Sequence, residues 1–163
     1  MQRVKLDRVD RQILADLQAD GRITNVDLAR RAGISAPPCL RRVRALEESG
    51  IIKGYHAAID PGALGYNVTV FAQVALNSHA DGDLRAFEER VGSWPEVREC
   101  YMLAGETDCL LKVVARDWED DQKFLTARLT AAPNVGHVTT ALAIRSAKQE
   151  PGVPIPTTAV EAE

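Results

Sequence analysis

The first fifty residues carry apolar positions at helical spacing. Leu6, Val9, Ile13, Leu14 and Leu17 recur on one side of a helical repeat, with Asp, Arg and Gln between them. Asp20-Gly21 stops this helix, because glycine readily takes the left-handed conformation at a helix end. Thr24 or Asn25 caps a second, short helix running to Arg31 or Ala32. Its apolar positions are Val26, Leu28, Ala29 and Ala32, and Asp27 lies in its first turn. Ser35 is a natural N-cap for a third helix, and Pro37 and Pro38 suit its first turn, where a missing N–H costs nothing. That helix runs through Glu48 and ends at Gly50, with Leu40, Val43 and Leu46 as its apolar stripe.

The pattern then changes. Ile51 to Asp60 is rich in strand formers and closes at the turn signal Asp60-Pro61-Gly62, which predicts a linker strand and turn over 51–65. Val68 to Leu76 alternates as a strand. Asp81-Gly82-Asp83 starts a helix with Leu84, Phe87 and Val91 inward, broken by Gly92-Ser93-Trp94-Pro95. Val97 to Ala104 and Cys109 to Ala115 read as hairpin partners around the turn Gly105-Glu106-Thr107-Asp108. Asp117 caps a helix with Phe124, Leu125 and Leu129 buried, Ala132-Pro133-Asn134 ends it, and Val138 to Ile144 is the last strand.

The order β-α-β-β-α-β is the split βαβ, or ferredoxin-like, pattern. The predicted fold class is therefore α+β. A winged-helix-like helix-turn-helix domain occupies 1–50 and a ferredoxin-like βαββαβ domain 66–148. A Pro-rich, mobile tail over 149–163 follows.

Composition excludes several classes. At 163 residues, 45% hydrophobic and 26% charged, the chain can build a core without disulfides. No apolar run of about 18 residues exists to span a membrane. The start of the chain lacks the apolar stretch of a secretion signal. Three scattered cysteines form no disulfide framework, which points to a reducing cytoplasm. His56, His79 and His137 make no metal-ligand spacing with them, so neither metal nor cofactor is expected.

The net charge of −3 argues against nucleic acid until it is divided. Residues 1–60 hold eleven basic and eight acidic side chains, net +3; the remainder holds nine and fifteen, net −6. Such asymmetry points to nucleic-acid contact by one half. Between Arg30 and Leu46 lie Arg30, Arg31, Arg41, Arg42 and Arg44, and no acidic residue. A cluster like this can be a solvated helix face. Here three of its members, Arg41, Arg42 and Arg44, sit on the second helix of a helix-turn-helix, whose N-terminal residues enter the major groove. The candidate DNA contacts are Ser35, Ala36, Pro37 and Pro38 at that end, with Arg41, Arg42 and Arg44 beyond. Arginine's planar fork can bridge phosphate oxygens or a guanine edge.

A longer string of motifs carries a family resemblance. It comprises Leu6-Asp7-x-x-Asp10-x-x-Ile13-Leu14, Asp20-Gly21-Arg22, Asp27-Leu28-Ala29, Gly33-Ile34-Ser35, Pro38-Cys39-Leu40-Arg41-Arg42-Val43-Arg44-x-Leu46-Glu47 and Gly50-Ile51-Ile52-x-Gly54-Tyr55. From about Leu6 to about Lys148 the chain resembles the Lrp/AsnC family of transcription regulators. The resemblance implies double-stranded DNA as one partner, a homodimer made through the sheet that assembles further to an octamer, and a small effector, an amino acid, held between subunits. The matching signature is Gly105-x-x-Asp108, framed by Glu99-Cys100-Tyr101 and Leu110-Leu111-Lys112.

On that resemblance the effector residues are Gly105, Glu106 and Asp108 at the turn, Tyr101 and Met102 before it, and Thr139 and Thr140 on the last strand. A turn can present N–H groups to a carboxylate, an aspartate can receive an ammonium, and Gly105 lets the backbone come close. The turn also departs from the usual family spelling: Glu106 is longer than the usual aspartate, and Cys109 replaces an aromatic and so reshapes a pocket.

The expected function is sequence-specific DNA binding, modulated by the effector, on a roughly palindromic operator. Two other classes stay open: a sensor that does not bind DNA, and an enzyme on a ferredoxin-like domain. No G-x-S-x-G, H-E-x-x-H or P-loop is present, so a non-enzyme is expected.

Overall fold

The computed structural model describes residues 5–157. They divide into two compact units. One holds the described residues up to Ala58 and again from Lys148 onward; the other is Ile59–Ala147.

The first unit is built on three helices, α1 (Arg8–Ala19), α2 (Asn25–Ala32) and α3 (Ala36–Glu48). Asp7 caps α1 in a reciprocal box. Its Oδ1 accepts the Asp10 N–H at 2.8 Å, and Asp10 Oδ2 accepts the Asp7 N–H at 3.1 Å. Thr24 caps α2 through the Asp27 N–H, and Gly33 closes it at φ 71°, a left-handed conformation that favours glycine. Ser35 occupies the cap position of α3, but its side chain makes no capping bond. Asn25 Nδ2 donates to the Ala36 carbonyl at 2.9 Å and fixes the turn between the two helices. Ile13, Leu28, Ala29, Ala32, Cys39 and Leu46 form the core. Leu40, expected in the buried stripe of α3, is 40% exposed; Cys39 fills the core in its place.

Ile51 and Ile52 pack half-buried against that core, and the Tyr55 hydroxyl donates to Glu47 Oε1 at 2.9 Å. Burial, and then Glu47, push the Tyr55 hydroxyl up to about 12. From Lys53 to Asp60 the chain is exposed, and no strand forms where strand formers predict one. A strand needs a neighbour to take its backbone hydrogen bonds, and none of the described residues supplies one.

The second unit contains β1 (Val68–Leu76), α4 (Asp81–Gly92), β2 (Val97–Met102), β3 (Cys109–Ala115), α5 (Trp118–Phe124) and β4 (Val135–Leu142). A π turn, Leu125–Leu129, continues α5. The strands form one antiparallel sheet in the order β2-β3-β1-β4, as the βαββαβ pattern predicts. The alternation in β1 and β3 sends Ala72, Val74, Leu111 and Val113 inward, where they meet Phe87, Val91, Phe124 and Leu129 from the helices. Burying these side chains is the main force holding the unit together. The opposite face is open and carries Phe71, Gln73, Tyr101, Leu110, Lys112 and Thr139 in alternate register. Strand β2 stops at Met102, earlier than its apolar run, because the Leu103 N–H turns to the Asp108 carbonyl at 2.8 Å. Strand β4 starts at Val135, earlier than its apolar run, and ends at Leu142.

Asp121 on α5 is fully buried, and only the neighbouring Gln122 side chain approaches its carboxylate, without well-formed hydrogen-bond geometry. Burial raises its pKa above the ordinary carboxylate range.

The tail expected to be mobile is described to Thr157; residues 158–163 lie outside the described residues. The described part returns to the first unit. Gln18 Nε2 donates to the Val153 carbonyl at 2.8 Å, and the Val153 N–H donates to Gln18 Oε1 at 3.1 Å. Gly152 has φ 74°, and a Cβ there would collide with the Gln18 amide.

Candidate functional site

Helix α3 is amphipathic, and its solvent side is cationic up to Arg44; Glu47 and Glu48 are exposed in the last turn. At about 100° per residue, Pro37, Arg41 and Arg44 share one face, opposite the core positions Cys39, Val43 and Leu46. Ser35 and Pro37 are exposed at the helix start, and Ala36 and Pro38 are half-buried beside them. No acidic residue stands in the first turn, so the positive end of the helix dipole is uncompensated.

The five clustered arginines are not equivalent. Arg30 pairs with Asp27 at 2.6 Å, and Arg31 with Asp16 at 3.4 Å. Arg42, on the flank of α3, places Nη1 2.7 Å from both Asp7 Oδ2 and Asp10 Oδ1. These bonds raise the Arg42 pKa further above its ordinary value. The Asp10 N–H, and then Arg42, hold the Asp7 carboxyl below the ordinary range. Among the described residues, Arg41 and Arg44 are exposed and carry no ion pair. The run of charge was visible in the sequence, and so was Asp27 three residues before Arg30; the carboxylates that neutralise Arg31 and Arg42 were not. Asp16, Asp7 and Asp10 reach across from α1, and no local spacing signals that.

The effector residues expected at the hairpin are only partly gathered. Asp108 closes the turn: its N–H donates to the Val74 carbonyl at 3.0 Å. Its Oδ2 accepts the Leu76 N–H at 2.6 Å, and Oδ1 lies 2.7 Å from His79 Nε2. The Leu76 N–H, and then His79, lower the Asp108 pKa. The carboxylate expected to receive an ammonium is thus engaged with its own chain, and His79 is a neighbour that sequence reasoning missed. A Cβ on Gly105 would meet nothing within 4 Å, and its φ is not left-handed. The chain itself therefore places no demand for glycine there. Glu106 is exposed beside it.

Tyr101 and Thr139 both stand on the open sheet face, but on opposite edge strands. Three strand spacings, about 14 Å, separate them. The Tyr101 hydroxyl donates to Glu99 Oε2 at 2.8 Å, and Lys112 Nζ donates to Glu99 Oε1 at 2.8 Å. Lys112, and then Tyr101, hold Glu99 below the ordinary range. Met102 and Thr140 belong to the helix side of the sheet by register. Cys109 Sγ donates to Met102 Sδ at 3.4 Å. A shallow groove of about 360 Å³ between α4 and β2 takes in Met102 with Glu88, Val91, Arg98 and Cys100, but not the turn. Within a single chain, then, the seven residues do not line one pocket. Among the described residues no cluster of His, Cys, Asp and Glu could hold a metal, and no helix is long and apolar enough to cross a membrane.

Comparison with known proteins matches both units. Residues 69–153 match the Lrp/AsnC ligand binding domain, and residues 6–53 match a winged helix-turn-helix DNA-binding domain. The chain is 53% identical over 146 residues to a leucine-responsive regulatory protein of Rhizobium meliloti, covering 90% of this chain and 94% of that one. It is 40% identical over 144 residues to the protein of that name from Escherichia coli, covering 88% of each. A Neisseria meningitidis transcriptional regulator in complex with L-methionine superposes with a TM-score of 0.87 at 33% identity, covering 92% of this chain and 97% of that one. An AsnC family transcriptional regulator from Agrobacterium tumefaciens gives 0.86 at 37% identity, covering 91% and 97%.

Proposed function

The chain belongs to the Lrp/AsnC family of transcriptional regulators, with a helix-turn-helix DNA-binding domain and an amino-acid-binding domain, and on that premise we propose how it reads DNA and senses its effector. Helix α3 enters the major groove with its Pro37, Arg41 and Arg44 face, and Arg41 and Arg44 are the side chains that meet the duplex. Ser35, Ala36 and Pro38 lie at its leading end. The observation that carries this reading is the pairing pattern: three arginines are neutralised within the chain, and the two left open share the exposed face of the recognition helix. An unpaired guanidinium is available to a phosphate or a guanine; a paired one must first give up a carboxylate.

Two copies pair through the open sheet face, bringing two α3 helices to half-sites about one helical turn apart or a multiple of it. The exposed, unpaired stretch 53–60 is a further surface for the second copy, and dimers assemble to an octamer. The protein acts in the cytoplasm and is not an enzyme.

The effector is an amino acid held at the 103–108 turn and completed by a second copy. Gly105 supports this: its lack of a side chain serves nothing inside the chain but leaves room for something outside it. Asp108 holds the turn in shape while Glu106, exposed and one residue from Gly105, is free to meet the ammonium. An effector that binds one assembly state better shifts the population toward it, and DNA affinity follows by linkage.

Gel shift on duplex upstream of the protein's own gene, at about 50 mM salt where electrostatics favour binding most, tests the DNA reading; no shift there refutes it. A thermal-shift screen of the twenty amino acids tests the effector, since a ligand of the native state raises its apparent stability.

A further inference from the structure

We propose that Arg42 is a positioning residue, which fastens the recognition helix to the start of α1 and so sets the angle at which Arg41 and Arg44 meet DNA. The inference rests on the reading of α3 as the DNA-contacting helix. Sequence alone places Arg42 among the contacts, because it lies in the same run of arginines. The geometry separates it from them.

A single nitrogen, Nη1, bonds two carboxylates that lie 35 and 32 residues away in the chain, both at 2.7 Å. Those carboxylates are the two halves of the α1 capping box. Asp7 uses its other oxygen on the Asp10 N–H, and Asp10 uses its other oxygen on the Asp7 N–H. The guanidinium therefore joins a closed ring of hydrogen bonds at the N-terminus of α1. Helices α1 and α3 each pack on α2. The Arg42 bridge is a direct polar tie between the two outer helices, and without it α3 is held mainly by its seat on α2. Arg42 also lies about 100° around the helix from Arg41, toward the buried side.

The charge balance gives the test. Asp7 and Asp10 are two negative charges in the DNA-reading unit. By electrostatics alone, neutralising them makes that unit more cationic and strengthens its hold on DNA. If Arg42 is a contact restrained by these carboxylates, neutralising them frees it and binding tightens further. If Arg42 is the fastener, neutralising them unfastens α3 and operator binding weakens. The two readings predict opposite signs.

The experiment uses the full chain with Asp7→Asn and Asp10→Asn together, Arg42→Ala, and all three changes combined. Asparagine is as good an N-cap as aspartate, so helix α1 keeps its cap. Binding is measured by fluorescence anisotropy on an operator duplex selected by the unaltered protein from random sequence, and on a random-sequence duplex. Thermal unfolding first confirms that each variant is folded at the assay temperature. The double asparagine variant is expected to lose about tenfold in operator affinity while its affinity for random duplex holds or rises, two negative charges having been removed. Arg42→Ala is expected to lose a similar factor, and the combined variant no more than either, because all three act through one bridge.

Tighter operator binding by the asparagine variant, or losses that multiply in the combined variant, would overturn the proposal. Should the double variant be unfolded, Asp7→Asn alone reads the same sign. Failure of the unaltered protein to select any duplex is a different result, and it would count against α3 as a DNA-reading helix.

Discussion

Replacing Arg41 by alanine separates a phosphate-binding arginine from one already paired. A protein that neutralises phosphates releases the counterions held on them, and log K falls with log salt by about 0.9 per phosphate. In the proposed two-fold assembly each substitution removes two contacts, so Arg41→Ala flattens the slope by about 1.8. Between roughly 50 and 200 mM salt the unaltered protein then loses about 12-fold more affinity than the variant. Replacing Arg44 as well removes four contacts, and the difference grows to about 150-fold. Arg30→Ala is the control. Arg30 is exposed, with 76% of its side chain open, but its charge is balanced by Asp27 at 2.6 Å. Its loss is expected to flatten the slope by less than half as much as loss of Arg41. The assay is a titration of one labelled operator at four or five salt concentrations. Equal flattening by Arg30→Ala and Arg41→Ala would refute the reasoning, because intramolecular pairing would then not decide which arginines meet DNA. An unchanged slope for Arg41→Ala would place that side chain off the duplex.

Other outcomes follow from the same structure. Asp108→Ala removes the acceptor for the Leu76 N–H and the partner of His79, so it is expected to abolish the amino-acid response while operator binding remains; a full effector response in that variant removes Asp108 from the site. Leu129→Ala in the core of the second unit is expected to cost about 2–5 kcal/mol, read by urea unfolding. Asp121→Asn is expected to raise stability at neutral pH by about 1–3 kcal/mol, since it removes a buried charge that only Gln122 approaches; a loss of stability would mean that the Gln122 contact outweighs the cost of burial. The carboxyls of Asp7, Glu99 and Asp108 lie below their ordinary values, so their contribution is present above about pH 4 and is lost as pH falls through the folded values. Asp121 is raised and has the opposite sign, costing stability as pH rises above about 4. The acid limb of a stability–pH curve should therefore steepen in Asp121→Asn, where only the first three groups act.

Much of the fold was legible because its signals are local. The alternation in Val68–Leu76 and Cys109–Ala115 names the buried face of each strand, and Gly33 and Gly50 mark helix ends by a conformation other residues avoid. Leu40 was misread because α3 buries a cysteine, whose packing as a small apolar side chain the stripe of larger residues hides. The stretch from Ile51 to Asp60 has the composition of a strand, but a strand is a pairing, and composition does not supply the neighbour. The DNA-reading helix was found from an Arg run, yet the pairing of Arg31 and Arg42 depended on Asp7, Asp10 and Asp16, which only the tertiary fold brings near. The effector turn was found as a motif. That Asp108 is engaged by Leu76 and His79, and that Tyr101 and Thr139 stand on opposite edges, follows from sheet order and from contacts some thirty residues apart.

The return of the tail to Gln18 has a mechanical consequence. The backbone crosses between the two units twice, near residue 59 and near residue 148. The second attachment is fastened by two hydrogen bonds to one exposed amide, each contributing on the order of 1 kcal/mol. Such a fastening opens far more often than the units around it unfold. The last described residues of the chain thus come and go from α1 while the helices around them stay folded.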